Sequence, residues 1–220
     1  MNPAKFLVLG AVVISLLTVR LPAQSIEGEY KCAGAAPQGA KYEGKVFLKK
    51  LVNPLYTITW DLGKNGSYVG TGVYEDGILA AAYGGGKPYG LAVYQVKGGA
   101  LKGKWLIGGQ AGVGEESLEG PAGLEGAYTI TSGKNISGQP YTGKVAITKT
   151  GETYAVQWTL PTDTYSGVGI LIGNTLVVGW GQDSGFGAVL YAQEGANFIG
   201  KWAAAGSDAL GSETLTKSPR

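Results

Sequence analysis

The feature that most constrains this 220-residue chain is an internal repeat. Leu101-Lys102-Gly103-Lys104-Trp105 returns as Phe198-Ile199-Gly200-Lys201-Trp202, which puts Trp105 and Trp202 97 residues apart. Around that anchor Gly90 to Tyr94 falls into step with Gly187 to Tyr191, and Gly114-x-Glu116-x-Leu118 with Gly211-x-Glu213-x-Leu215. Two copies of one sequence obey the same local rules, so whatever one copy forms the other forms too.

Those local rules are the rules of β-strands. Tyr56, Ile58 and Trp60 alternate with Thr57 and Thr59, as Tyr154, Val156 and Trp158 alternate with Ala155, Gln157 and Thr159. A period of two buries one face of a strand and wets the other, whereas a helix would place its apolar residues three and four apart. The same reading predicts eight short strands in each copy. They begin at Ile26-Glu27-Gly28-Glu29-Tyr30 and Leu124-Glu125-Gly126-Ala127-Tyr128 and end near Leu118 and Leu215. With 39 glycines, turn signals such as Glu75-Asp76-Gly77 and Gly173-Asn174 separate consecutive strands, which predicts an up-and-down meander. Eight such strands close into a small barrel, removing the exposed edges of an open sheet. The expected fold is therefore all-β, with one barrel over residues 24–120 and a second over 121–220; two packed β-sandwiches are the alternative. In the anchor strand Leu101, Gly103 and Trp105 share one face, as do Phe198, Gly200 and Trp202. The expected lumen aromatics are Tyr56, Trp60 and Trp105 in one copy and Tyr154, Trp158 and Trp202 in the other.

Residues 1–23 read as a secretory leader: Lys5 supplies the positive start, Phe6 to Val19 is apolar, and cleavage falls after Ala23. The apolar stretch is shorter than the ~20 residues of a spanning helix, so no stable membrane insertion is expected after cleavage. The chain carries 18 Lys and Arg against 16 Asp and Glu, and removing Lys5 and Arg20 with the leader leaves 16 of each sign. A neutral chain without a basic run argues against nucleic acid as a partner. The single cysteine, Cys32, is expected to be buried in the first strand, with an intermolecular bridge as the alternative. The expected location is extracellular or periplasmic.

Catalytic motifs are absent. Gly39 to Lys45 and Gly138 to Lys144 approach a phosphate-loop pattern, but Val46 and Val145 stand where Ser or Thr would hold magnesium, and the segments run into strands rather than helices. With no His and one Cys, His-dependent triads and ordinary zinc sites are excluded, so no catalytic residue, metal or cofactor is expected. Glu116 and Glu213 occupy equivalent positions, one per repeat. Their expected partners are turn amides, or Lys104 and Lys201 at a barrel end. Between the fifth and sixth strands, a predicted hairpin tip keeps aromatic shoulders, Tyr83 with Tyr89 and Trp180 with Phe186, around variable residues that include Lys87 and Asp183. Those six residues are the candidate contact site for a partner, because glycine-flanked rigid aromatics offer large contact area at small entropic loss. Capping of the barrel mouth is the structural alternative for these aromatics.

The series Gly-x-Tyr, Tyr-x-Gly-Lys-Val, Tyr-x-[Ile/Val]-x-Trp, Gly-x-Gly-[Val/Ile], Gly-Lys-Trp and Gly-x-Glu-x-Leu resembles a group of exported bacterial repeat proteins, some labelled fibronectin-binding. It covers nearly all of the chain after the leader. In strand count and its Gly-x-Trp element the chain is also similar to avidins and lipocalins, although here that element lies in the seventh strand. The expected function is that of a non-catalytic exported binding protein that contacts a protein or glycan through strand-end loops, and the resemblance adds the extracellular matrix as one source of such a partner. Duplication would then add avidity. The alternatives are a carrier of a small apolar ligand in the barrel lumen, and an envelope protease inhibitor or enzyme.

Overall fold

The structure, a computed structural model, describes residues 25–85 and 88–219. The leader assigned to residues 1–23 and the candidate contact residue Lys87 lie outside the described residues. All eight strands expected of each repeat are present. The first repeat supplies β1 (Gly28–Ala35), β2 (Lys41–Val52), β3 (Leu55–Asp61), β4 (Ser67–Glu75), β5 (Ile78–Gly84), β6 (Tyr89–Lys97), β7 (Ala100–Ile107) and β8 (Gly114–Glu119). The second supplies β9 (Gly126–Lys134), β10 (Pro140–Tyr141) and β11 (Lys144–Thr150), which act as one interrupted strand, then β12 (Thr153–Thr159), β13 (Thr164–Ile172), β14 (Thr175–Gly181), β15 (Gly187–Glu194), β16 (Asn197–Ala204) and β17 (Gly211–Lys217). One short 3-10 turn, Gly63–Asn65, links β3 to β4.

These strands form two closed, antiparallel, eight-stranded barrels in meander order. The barrel boundaries, however, differ from the repeat boundaries at 24–120 and 121–220. Barrel A runs β1-β2-β3-β4-β5 and then β15-β16-β17, closing through the β1–β17 pairing. Barrel B runs continuously from β6 to β14, closes through β14 on β6, and lies in sequence between β5 and β15. Each barrel therefore takes five strands from one repeat and three from the other. The residues read as hairpin tips are the two crossovers between barrels. The exchange is open to the chain because the sixth strands of both copies present the same edge, Gly90 to Tyr94 or Gly187 to Tyr191, to a fifth strand. Leu79 pairs with Tyr191 in barrel A just as Leu176 pairs with Tyr94 in barrel B.

Each lumen has an aromatic and aliphatic core. Barrel A packs Tyr30, Leu48, Tyr56, Phe198 and Leu215 at one end and Val46, Ile58, Ala81 and Tyr191 above them; barrel B repeats this with Tyr128, Ile147, Tyr154, Leu118, Val156 and Tyr94. Cys32 is buried in β1 within the barrel A core, where burial and then the nearby Glu213 push its thiol well above its usual range. A third core lies between the barrels. It joins Ala80, Ala82, Ala188 and Leu190 from the outer wall of barrel A to Leu91, Leu106, Val168 and Val177 from that of barrel B, with Phe186 among them. This explains why β5, β6, β14 and β15 carry nearly continuous apolar runs rather than the alternation of β3: both of their faces are covered.

Two aromatic cups, each floored by a carboxylate

At one mouth of each barrel the core stops short and leaves a cup. In barrel A the cup holds about 240 Å3 and its wall includes Tyr42, Trp60, Tyr68, Tyr83, Trp202 and Glu213. In barrel B it holds about 330 Å3, and the equivalent wall is Tyr141, Trp158, Tyr165, Trp180, Trp105 and Glu116. Because strands are exchanged, each cup is composite: Tyr42, Trp60, Tyr68 and Tyr83 come from the first repeat, whereas Trp202 and Glu213 come from the second.

Glycines place the aromatics. In barrel A four of the five cup rings, and the Tyr191 ring beneath them, lie over a glycine of a neighbouring strand: Tyr42 over Gly34, Trp60 over Gly70, Tyr83 over Gly187, Tyr191 over Gly200 and Trp202 over Gly211. Barrel B repeats the set with Tyr141 over Gly133, Trp158 over Gly167, Trp180 over Gly90, Tyr94 over Gly103 and Trp105 over Gly114. A Cβ at Gly211 would come within 2.2 Å of the Trp202 ring, and one at Gly114 equally close to Trp105. Alternate glycines weaken a strand on their own, but here they let a large ring lie flat across it. The rings then meet at steep angles. Tyr42 and Trp202, Trp60 and Tyr83, and Tyr68 and Tyr83 stand edge to face at centroid distances of 6.4, 6.3 and 5.3 Å. In barrel B, Trp105 stands edge to face with Tyr141 and with Trp180, both at 6.3 Å, and Tyr165 with Trp180 at 5.4 Å.

The floor corrects the sequence reading of the two glutamates. Glu116 and Glu213 are only 3 % and 5 % exposed, and they face the lumen rather than turn amides or lysines. Glu213 accepts hydrogen bonds from the hydroxyls of Tyr42 (2.8 Å) and Tyr191 and from Nε1 of Trp60 (3.1 Å). Glu116 accepts the equivalent three, from Tyr141 (2.8 Å), Tyr94 and Nε1 of Trp158 (3.2 Å). Lys104 instead meets Glu75 of barrel A at 3.4 Å on the surface, and Lys201 faces solvent. Among the described residues neither glutamate forms an ion pair. Burial first, and then the adjacent Glu116 or Glu213, pushes Tyr94, Tyr141, Tyr42 and Tyr191 well above the usual phenol range, so these hydroxyls stay protonated as donors. Burial, then Tyr68 and Glu213, takes Tyr83 up to about 12. The buried indole N–H groups of Trp105 and Trp202, again an equivalent pair, have no partner that meets hydrogen-bond geometry.

The expected lumen aromatics divide by depth. Trp60, Trp105, Trp158 and Trp202 line the cups, while Tyr56 and Tyr154 belong to the filled part of each core. Of the five expected contact residues that are described, only Asp183 is exposed. Tyr83 and Trp180 line the two cups at the barrel mouths; Phe186, 3 % exposed, is buried between the barrels; Tyr89 packs half-buried across Gly84 and Gly108. Asp183 is exposed and accepts the Gly185 amide at 3.0 Å. Strand periodicity carried the signal for the glutamates that the sequence reading did not use: Glu116 shares a face with Gly114 and Leu118, and Glu213 with Gly211 and Leu215, all of them lumen residues.

Fold and site thus define a double antiparallel barrel with a composite aromatic cup at one mouth of each. No family model, curated protein or solved structure matches the chain.

Proposed function

We propose that this protein is a non-catalytic, exported binding protein that holds one small ligand in each barrel mouth. What supports the reading is the equivalence of the two cups: the same glutamate, two tyrosines and tryptophan meet at the floor of both, each beneath an open aromatic wall. A buried carboxylate without a cation weakens a barrel core, since charge removed from water is costly unless fully compensated. Its presence in both cups is accounted for by a ligand that uses it. Cup B lies at the lower end of the ~300–1,000 Å3 range of small-molecule sites and cup A just below it, which suits a compact ligand and sets this reading apart from an apolar carrier with a wholly greasy lumen. Catalysis by a carboxylate pair is disfavoured, because each barrel holds one glutamate and the two cups are separate. The test is native mass spectrometry of the purified protein together with tryptophan emission across a panel of small metabolites. Two molecules bound per chain, with emission shifts lost in Trp60→Leu and Trp158→Leu variants, is the expected result. An unliganded protein whose emission answers to no member of the panel would overturn it.

A further inference from the structure

Building on that reading of the cups, we infer that their ligand is a compact organic cation of the quaternary ammonium type. Three features of the site converge on that chemistry. The first is charge: each cup ends on a buried carboxylate that no lysine or arginine neutralises among the described residues. The second is wall geometry. Trp60, Tyr68, Tyr83, Tyr42 and Trp202 stand at interplanar angles of 63° to 69° where they touch, and the barrel B rings at 73° to 76°. A cage for a cation is built from rings steeply inclined to one another, whereas a flat sugar or heterocycle is met by parallel platforms. The third is the state of the carboxylate's lone pairs. Each glutamate already accepts two tyrosine hydroxyls and one indole N–H, so about one of its roughly four acceptor positions remains. A primary ammonium entering the cup would give up water on three N–H groups and recover at most one strong acceptor. A quaternary ammonium has no N–H to satisfy and uses only the charge and the π-faces.

The two rims then set an order of affinity. The cup A lining includes Lys41, whereas that of cup B includes Asp163, so cup B binds the cation more tightly, on the order of ten-fold. Calorimetry and tryptophan emission on the full chain at fixed ionic strength test this, with tetramethylammonium and choline as probes. Methylammonium and the uncharged choline isostere 3,3-dimethylbutan-1-ol serve as comparisons. Two unequal sites for choline are expected, at least ten-fold weaker binding of the isostere, weaker binding of methylammonium than of tetramethylammonium, and loss of the tighter site in Glu116→Gln. Isostere binding as tight as choline, at two per chain, would overturn the cation assignment while leaving the cups as binding sites. Methylammonium binding tighter than tetramethylammonium would overturn the quaternary class. No response to either quaternary probe at tens of millimolar would overturn the inference, and the metabolite panel then decides separately whether the cups bind anything. Because the comparison of cation with isostere is made on the unaltered chain, it stands even if Glu116→Gln misfolds.

Discussion

Phe186→Ser separates a crossover from a surface hairpin. Were this residue at an exposed tip, its loss would change stability by less than ~0.5 kcal/mol. The structure instead seats the ring between the barrels, 3 % exposed, against Gly181 and in one core with Leu91, Val168, Val177 and Ala188. Removing a buried Phe side chain costs about 3–5 kcal/mol, and a serine hydroxyl left there without a partner adds to that. For a chain of this size ~1 kcal/mol moves the melting temperature by about 2–4 °C, so Phe186→Ser should melt about 6–20 °C below the parent. Asp183→Ser, three residues away and exposed, should melt within about 2 °C of it. Scanning calorimetry of the three proteins is the assay. If Phe186→Ser melted with the parent, the inter-barrel core would not carry the load assigned to it, and the barrel exchange would lose its energetic rationale.

The cup floors differ in one hydrogen bond, and deletion should reveal it. In barrel A the Trp60 indole also donates to the Tyr191 hydroxyl at 3.0 Å, so of the fully buried donors Glu213→Ala strands Tyr191 alone, at about 1–3 kcal/mol, whereas Glu116→Ala strands both Tyr94 and Trp158, at about twice that, the half-buried Tyr42 and Tyr141 losing an acceptor in the two cases alike; equal midpoints in urea would contradict this. Alkali should unfold the protein: Tyr30 and Tyr83 rise to about 12 and Tyr42, Tyr94, Tyr141 and Tyr191 further, so the unfolded chain loses these protons near pH 10 before the fold does, and stability present below pH 10 drains away above it. Absorbance at 295 nm should therefore show tyrosine ionisation coupled to loss of strand signal, and a single class titrating near pH 10 in an intact fold would count against it. Gly211→Ala should push the Trp202 ring off its strand, costing about 1–3 kcal/mol and shifting tryptophan emission, while Gly85→Ala, with open space around it, should be silent. Finally, residues 24–120 alone should form a dimer that exchanges β6–β8 between copies, measured by light scattering; a stable monomer with native emission would show that a repeat closes on itself.

By itself the sequence determined the local structure and much of the cup wall. Alternation in Tyr56-Thr57-Ile58-Thr59-Trp60 marks a strand and its inner face, glycine-bearing turns impose the meander, and eight strands per repeat suffice for closure, because each of these follows from backbone geometry within a few residues. Trp60, Trp105, Trp158 and Trp202 could be assigned to the lumen for the same reason. Tertiary structure alone decided which strands share a barrel. Strands β6 and β15 are near copies, so either can pair with β5 or β14, and local propensity does not distinguish them. The choice turns on non-local burial, which covers the outer faces of β5, β6, β14 and β15 together with Phe186. The same holds for the glutamates. Parity along β8 and β17 turns Glu116 and Glu213 inward, but only ring closure brings Tyr42 and Trp60 from one repeat and Tyr191 from the other to one carboxylate.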